Sequence, residues 1–163
     1  MIVEILRQTP ISVWVILVML IVLGFTQTRD RELSRTRIAV MPIAFMVLAL
    51  SGVMRRAESL SINLAAWLLG FAAMWFFARK LVSVQGAILS PNRKHAYVPG
   101  SWVPMTLIVG LFVTNYAVAA VTALHPGLAS GAPYSMSSNL VFGIFAGLFW
   151  NRSWSLQQIG VQS

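Results

Sequence analysis

The stretch "SWVPMTLIVGLFVTNYAVAAVTAL" (residues 101–124) carries no charged side chain. A bilayer core of about 30 Å needs about 20 apolar residues in an α-helix, and this stretch meets that length. Ser101 is a favourable N-cap, and Pro104 falls in the first turn, where a missing N–H costs no hydrogen bond. His125 and Pro126 follow the last apolar residue. The stretch therefore predicts a transmembrane helix that starts at Ser101.

The composition of the whole chain agrees with a lipid environment. Its 163 residues are 58% hydrophobic and 10% charged, whereas about a quarter of the residues of a soluble domain are charged. A chain this small leaves much of its side-chain surface exposed, so a mean hydropathy of +0.77 cannot be hidden in a core. The chain has no cysteine, which excludes disulfides, thiolate nucleophiles, iron–sulfur clusters and covalently attached haem. We therefore expect an integral membrane protein.

Four more apolar segments have a suitable length for membrane spans. They cover residues 10–28, 38–54, 59–78 and 134–154. The sequence thus predicts an all-α fold, a bundle of five transmembrane helices in a single domain over residues 1–163. The first segment is expected to remain as a span, because no basic cluster precedes it and no small-residue cleavage site follows it. Tyr134 and Trp154 are expected to mark the two interfaces of the fifth.

The basic residues predict how the chain is oriented, since cytoplasmic loops are enriched in Lys and Arg. The loops between helices one and two and between helices three and four hold Arg29, Arg31, Arg35, Arg37, Arg79, Lys80, Arg93 and Lys94. Arg152 follows helix five, and the opposite side has Arg7, Arg55 and Arg56. The N-terminus is therefore predicted outside and the C-terminus inside.

The basic loops also suggest what the chain contacts. Each basic residue next to the bilayer attracts anionic lipid by about 1 kcal/mol, so anionic headgroups or an anionic partner are expected there. Nucleic acid is not expected, because aromatic and basic residues do not interleave and no Gly-rich phosphate loop is present.

Polar residues near the middle of helix four are the most unusual feature of the spans. Asn115, with Thr114 beside it, lies where hydrocarbon offers no hydrogen-bond partner. Ser51 in helix two and Asn63 in helix three are candidate partners. One reading is an interhelical hydrogen bond, which contributes about 0.5–2 kcal/mol in model systems. The other is a polar path for a solute.

Acidic residues are absent from the predicted spans. The four acids are Glu4, Asp30, Glu32 and Glu58, all in loops or termini. This distribution disfavours proton pumps, carboxylate-based cation transporters and paired-carboxylate hydrolases. His95 and His125 are predicted on opposite sides of the membrane, so they cannot share a metal or a haem. No catalytic residue, metal site or cofactor is predicted.

Two further patterns leave alternatives open. Gly143 and Gly147 form a GxxxG in helix five, which predicts close helix packing, either inside the bundle or at a homodimer seam. Pro42 and Pro104 lie early in helices two and four, so helices one-two and three-four are either a duplication or merely share apolarity.

Several motifs together resemble a known family. They are Arg7 with Thr9 and Pro10, Arg37 with Pro42, "PGSWVP" at residues 99–104, and "GLF" at residues 147–149 followed by Arg152. In these the chain resembles a family of small bacterial inner-membrane proteins defined only as a domain of unknown function. The resemblance covers nearly the whole chain. It implies a multi-pass location in a bacterial inner membrane and no particular activity.

Three function classes follow from these patterns. The leading hypothesis is a non-catalytic accessory or interaction subunit that associates with itself or with another membrane protein. The alternative is a small solute or ion transporter or channel with a polar path near the middle of helix four. The third is a membrane redox or quinone-binding protein.

Overall fold

The computed structural model describes residues 9–34, 43, 60–78, 88–89 and 95–158, which are mostly helical. The helices are α1 (Ile11–Thr26), α2 (Leu60–Phe77), α3 (Val103–Leu124), α4 (Pro126–Ala129) and α5 (Ala132–Gln158). The strands are β1 (Arg31–Ser34), β2 (Ile88–Leu89) and β3 (His95–Val98). Apart from residue 43, the predicted span 38–54 lies outside the described residues.

A small antiparallel sheet, which the sequence analysis did not predict, closes one end of the helices. Its strand order is β1-β3-β2, with Arg31 opposite Val98 and Ile88 opposite Tyr97. Because β1 follows α1 and β3 precedes α3, the sheet lies where α1 ends and α3 begins. We call this the sheet end of the bundle. The opposite end, where α4 joins α3 to α5, is called the far end.

The start of α3 differs slightly from the prediction. The helix begins at Val103, with Trp102 rather than Ser101 in the N-cap position. The Ser101 hydroxyl nevertheless accepts a hydrogen bond from the Val103 N–H at 3.3 Å. The backbone N–H of Ser101 donates to the carbonyl of Gln27 at 3.1 Å, which ties this turn to the end of α1. Ser101 therefore stabilises the helix start from just outside it.

Helices α1 and α3 run antiparallel. At the sheet end, Gly24 packs against Met105 so closely that an added Cβ would meet the Met105 side chain at 2.9 Å. Just before the start of α1, the hydroxyl of Thr9 shares a hydrogen bond of 2.5 Å with that of Tyr116, which lies just past the middle of α3.

Helix α5 pairs with two others in opposite senses. It is antiparallel to α3, because the Tyr134 hydroxyl donates to the Val118 carbonyl at 3.1 Å while Gly110 lies against the ring of Phe145. It is parallel to α2, as the contacts of its glycines described below establish. The buried core lies where α2, α3 and α5 meet, and contains Trp67, Leu111, Phe142 and Ala146.

Much of the helical surface outside this core is apolar and exposed. Ile11 on α1 and Phe77 on α2 are each 81% exposed. Two of the described helices, α2 and α3, are long and apolar enough to cross a membrane, and α1 is a shorter apolar helix of 16 residues. Helix α5, at 27 residues, is longer than the predicted segment 134–154 and more polar than α2 or α3.

Candidate functional site

A stripe of small and polar side chains on α5 forms its contact with α2. The stripe residues recur every fourth position, which places them on one face of the helix. They are Ser135, Asn139, Gly143, Gly147 and Asn151, and all are buried. The sequence analysis identified the two glycines and missed the polar residues that continue the same spacing on either side.

The glycines of the stripe bring two backbones into contact. A Cβ on Gly143 would overlap the carbonyl oxygen of Trp67, and one on Gly147 would lie 2.7 Å from the carbonyl oxygen of Phe71. Residue numbers rise together along both helices, so α2 and α5 are parallel. Both glycines predicted to pack helices therefore lie against α2 of the same chain.

Asn151 continues this contact at the sheet end. Its side-chain amide lies 3.3 Å from the carbonyl oxygens of both Met74 and Trp75. These carbonyls belong to the last turn of α2, and that of Met74 also accepts a hydrogen bond from the Ala78 N–H at 3.0 Å. Asn151 thus adds a bond from α5 to the end of α2.

Toward the far end, the same register brings polar residues of α2 and α5 to one level. Trp67 lies beside Gly143, so one turn earlier Asn63 comes to the level of Asn139. Asn63 is 1% exposed and Asn139 is 2% exposed. Asn139 donates to the backbone carbonyl of Ser135 at 2.8 Å.

Helix α3 contributes Thr114 to this level. Leu111 packs in the core and Val118 packs against it, and Thr114 lies between them on the same helix face. The half-buried Thr114 hydroxyl donates to the Gly110 carbonyl at 2.8 Å. We call Asn63, Trp67, Thr114 and Asn139 the polar layer.

Two atoms of the polar layer lack hydrogen-bond partners among the described residues. They are the carboxamide oxygen of Asn63 and the indole nitrogen of Trp67, both buried. The Trp67 ring is stacked on Phe71 with centroids 5.4 Å apart, so packing holds its orientation. A buried acceptor and a buried donor therefore lie one turn apart on the same helix.

Asn115 does not join the polar layer. It is exposed on α3, and its side-chain amide donates to the Leu111 carbonyl at 3.3 Å. No hydrogen bond joins it to Asn63 in the part of the chain that the structure describes. The other predicted partner, Ser51, lies outside the described residues.

The predicted lipid-contact residues lie only partly within the described residues. Arg29 is exposed at the sheet end, with its guanidinium 5.7 Å from the centre of the Phe25 ring. Arg31 begins β1, and its side chain is not described. The others, Arg35, Arg37, Arg79, Lys80, Arg93 and Lys94, lie outside the described residues. His95 in β3 and His125 after α3 lie at opposite ends of the bundle.

An acidic residue joins the sheet to α3. The Asp30 carboxylate accepts hydrogen bonds from the Gly100 N–H and the Tyr97 hydroxyl, both at 2.7 Å. These bonds, that from Gly100 first, hold the pKa of Asp30 below its ordinary value of 3.8. The bond between the Tyr97 hydroxyl and Asp30 raises the pKa of Tyr97 above 10.0. Gly100 is required here, because a Cβ would overlap the Thr28 carbonyl.

A cavity separates α1 from α3 between their two contacts. Its volume is about 140 Å³, and its walls include Val13, Leu17, Phe112 and Trp14. Thr9 and Tyr116 also line it, with their hydroxyls bonded to each other.

Among the described residues, the polar layer combines a buried unpaired donor with a buried unpaired acceptor. Its side chains donate and accept hydrogen bonds but do not ionise. Among the described residues, no group of three His, Cys, Asp or Glu is placed to hold a metal ion. Trp67 carried no sequence signal, because a tryptophan within an apolar run is ordinarily core.

Comparisons with known proteins agree with the family resemblance. A family model described as a family of unknown function (DUF6622) matches residues 1–162. No curated protein matches the chain, and no solved structure does.

Proposed function

The chain belongs to this family of unknown function, and we propose from its own geometry that it is a non-catalytic interaction subunit of a bacterial inner membrane. It crosses the bilayer five times, with the N-terminus outside and the C-terminus inside, and it associates with a second copy of itself. The observation that carries the proposal is an exposed asparagine in the middle of an apolar helix.

The exposed surface supports the membrane location. In α2 and α3, 17% of the residues in the apolar window are buried inside the chain, whereas the core helix of a soluble protein is mostly buried. On α1, the large exposed hydrophobic residues are Ile11, Trp14, Val15, Ile16, Val18, Met19, Ile21, Val22, Leu23 and Phe25. Such a surface in water would promote association and aggregation, whereas lipid solvates it.

The helix directions support five crossings. In a chain that crosses five times, the first and fourth spans are antiparallel and the third and fifth are parallel. Helices α1 and α3, and helices α2 and α5, have these relations. Since α1 ends at the sheet end and α2 begins at the far end, residues 35–59 must connect opposite ends. They include the apolar segment 38–54.

Asn115 supports an interaction role. It is exposed near the midpoint of α3, where hydrocarbon cannot satisfy its carboxamide. Ala119 and Ala123, one and two turns further along the same face, are also exposed and allow a close approach. A carboxamide both donates and accepts, so two copies related by a two-fold axis complement each other there.

The transporter alternative has less support. Its path requires Asn63 and Asn115 to line one passage. Asn63 is buried against α5, whereas Asn115 faces outward from α3.

Cysteine cross-linking tests the proposal, because the chain has no native cysteine and each variant carries a single thiol. In native membranes, Ala119→Cys should form a disulfide-linked dimer under mild oxidation. Leu69→Cys is the control, since Leu69 is 65% exposed on α2, away from this face. Adding Asn115→Leu should reduce the cross-linked fraction roughly tenfold, which is about 1.4 kcal/mol.

Two results would contradict self-association through this face. One is equal dimer formation by Ala119→Cys and Leu69→Cys. The other is efficient cross-linking within a single chain of Ala119→Cys to Ser51→Cys, which would show that segment 38–54 covers the face instead.

A further inference from the structure

The two unpaired atoms of the polar layer need a physical explanation. A buried donor or acceptor without a partner costs about 1–3 kcal/mol, so native structures rarely leave one. Here the Asn63 oxygen and the Trp67 indole N–H are both unpaired among the described residues. Both side chains are at least nine-tenths buried, at 1% and 4% exposed, so bulk solvent does not reach them.

The spacing of the two residues favours a bridge over a direct bond. Side chains four positions apart on a helix have their Cβ atoms about 5–6 Å from each other. In the structure the indole and the carboxamide do not meet. Stacking on Phe71 and packing against Leu111 and Phe142 restrict the Trp67 ring, so it cannot turn freely toward Asn63.

The other groups of the layer indicate what kind of guest fits. Thr114 and Asn139 each donate to a backbone carbonyl of their own helix. So do Ser138, next to Asn139, and Ser135, one turn nearer the far end. Their oxygens retain lone pairs that can accept further hydrogen bonds. No ionisable side chain belongs to it. The guest must therefore be small and uncharged, and must both donate and accept.

We propose that Asn63 and Trp67 bind one water molecule at the junction of α2 and α5. The water accepts a hydrogen bond from the Trp67 indole N–H and donates one to the Asn63 oxygen. Its second hydrogen is directed toward the spare acceptors of the layer. Buried waters of this kind make about three hydrogen bonds to polar groups that would otherwise be unsatisfied.

The water also explains why a polar pair persists in an apolar helix. Without it, Asn63 and Trp67 would each weaken the contact between α2 and α5. With it, the two side chains favour the one register that places Asn63 beside Asn139, since a shift by one turn that sets Asn63 beside Gly143 would leave it facing a residue with no side chain. The inference concerns this contact within one chain and does not depend on self-association.

Nuclear magnetic resonance of the full chain in lipid nanodiscs tests the proposal. The Trp67 indole N–H, assigned by its loss in Trp67→Phe, should show a cross-peak to a long-lived water. Paired NOE and ROE spectra separate such a bound water from proton exchange. Asn63→Leu should abolish the cross-peak, whereas Ser61→Leu, at an exposed position of α2, should leave it intact.

The wild-type spectrum decides the question even if Asn63→Leu does not fold. The absence of a water cross-peak at the Trp67 indole N–H would overturn the proposal. So would a direct hydrogen-bond coupling between that N–H and the Asn63 carboxamide. A cross-peak that survives in folded Asn63→Leu would remove Asn63 from the site and also contradict the proposal.

Discussion

The contact between α2 and α5 differs from that between α1 and α3 in how the backbones approach. Gly143 and Gly147 let α5 lie directly on the carbonyls of α2. Between α1 and α3, close contact occurs at Gly24, and a cavity of about 140 Å³ lies nearer the start of α1, with Trp14 and Phe112 in its walls. One pair is in contact along its length and the other is tied at the two ends of α1.

The difference shows two ways in which the helices of this chain associate. Where lipid surrounds the helices, hydrophobicity does not select a partner, so contact depends on packing and hydrogen bonds. Between α2 and α5, the two glycines allow backbone packing and Asn151 supplies hydrogen bonds. The α1–α3 pair relies on ties at the two ends of α1, from Thr9 to Tyr116 and from Ser101 and Gly100 to residues that follow α1. One added carbon atom should therefore lower the free energy of unfolding when placed between α2 and α5, and raise it when placed between α1 and α3.

The largest effect is expected from Gly143→Ala. The added methyl would overlap the Trp67 carbonyl, and a backbone cannot move aside as a flexible side chain can. We expect a loss of about 3 kcal/mol, at the upper end of overpacking costs, measured as the unfolding free energy in detergent. Gly127→Ala is the matched control, because no atom lies within 4 Å of its Cβ position. Equal stability of the two variants would contradict backbone contact in this pair.

A smaller, opposite effect is expected from Val13→Leu on the wall of the α1–α3 cavity. It adds one methylene to a space that can hold it, so new packing contacts should raise the free energy of unfolding by about 0.5 kcal/mol. Val15→Leu, at an exposed position of the same helix, serves as the control and should change stability little. Destabilisation by Val13→Leu alone would mean that the two contacts are equally tight.

The smallest effect concerns the tie at the sheet end and depends on pH. The pKa of Asp30 is lowered in the folded chain, so its bonds to Gly100 and Tyr97 stabilise above pH 3.8 and are lost as pH falls through the lowered value. The pKa of Tyr97 is raised, so the same bond is also lost as pH rises through a value above 10.0.

Thermal unfolding of wild type and Asp30→Asn checks this dependence. The variant should melt at a lower temperature near neutral pH, and the difference should vanish below the pKa of the folded carboxyl. A difference that persists at strongly acidic pH would show that the charge of Asp30 is not what joins the sheet to α3.

Much of the helical framework was predictable, and the reason is local. Apolar length and flanking turn residues predict α1, α2 and α3, and each predicted end lies within two residues of the observed one. The sheet was not predictable, because strands of two to four residues are too short to show alternation. It depends on a carboxylate, Asp30, that meets Tyr97 and Gly100 from far along the chain.

The polar layer was predictable in part. An asparagine in an apolar run requires a hydrogen-bond partner, and this pattern identifies both Asn63 and Asn115. The helix that each asparagine faces depends on how the helices are aligned. The alignment of α2 with α5 depends in turn on the backbone contact at Gly143. The spacing of Ser135, Asn139, Gly143, Gly147 and Asn151 contained that information, but the partner helix did not follow from it.

Through composition and segment length, the sequence indicates long apolar helices with a few uncharged polar groups inside them, because both are local properties. The contacts between helices place Asn63 and Trp67 in a buried layer, without partners among the described residues, and leave Asn115 facing outward. Two asparagines in similar apolar runs have different surroundings because helix rotation and register are set by contacts between distant segments, which local propensity does not specify.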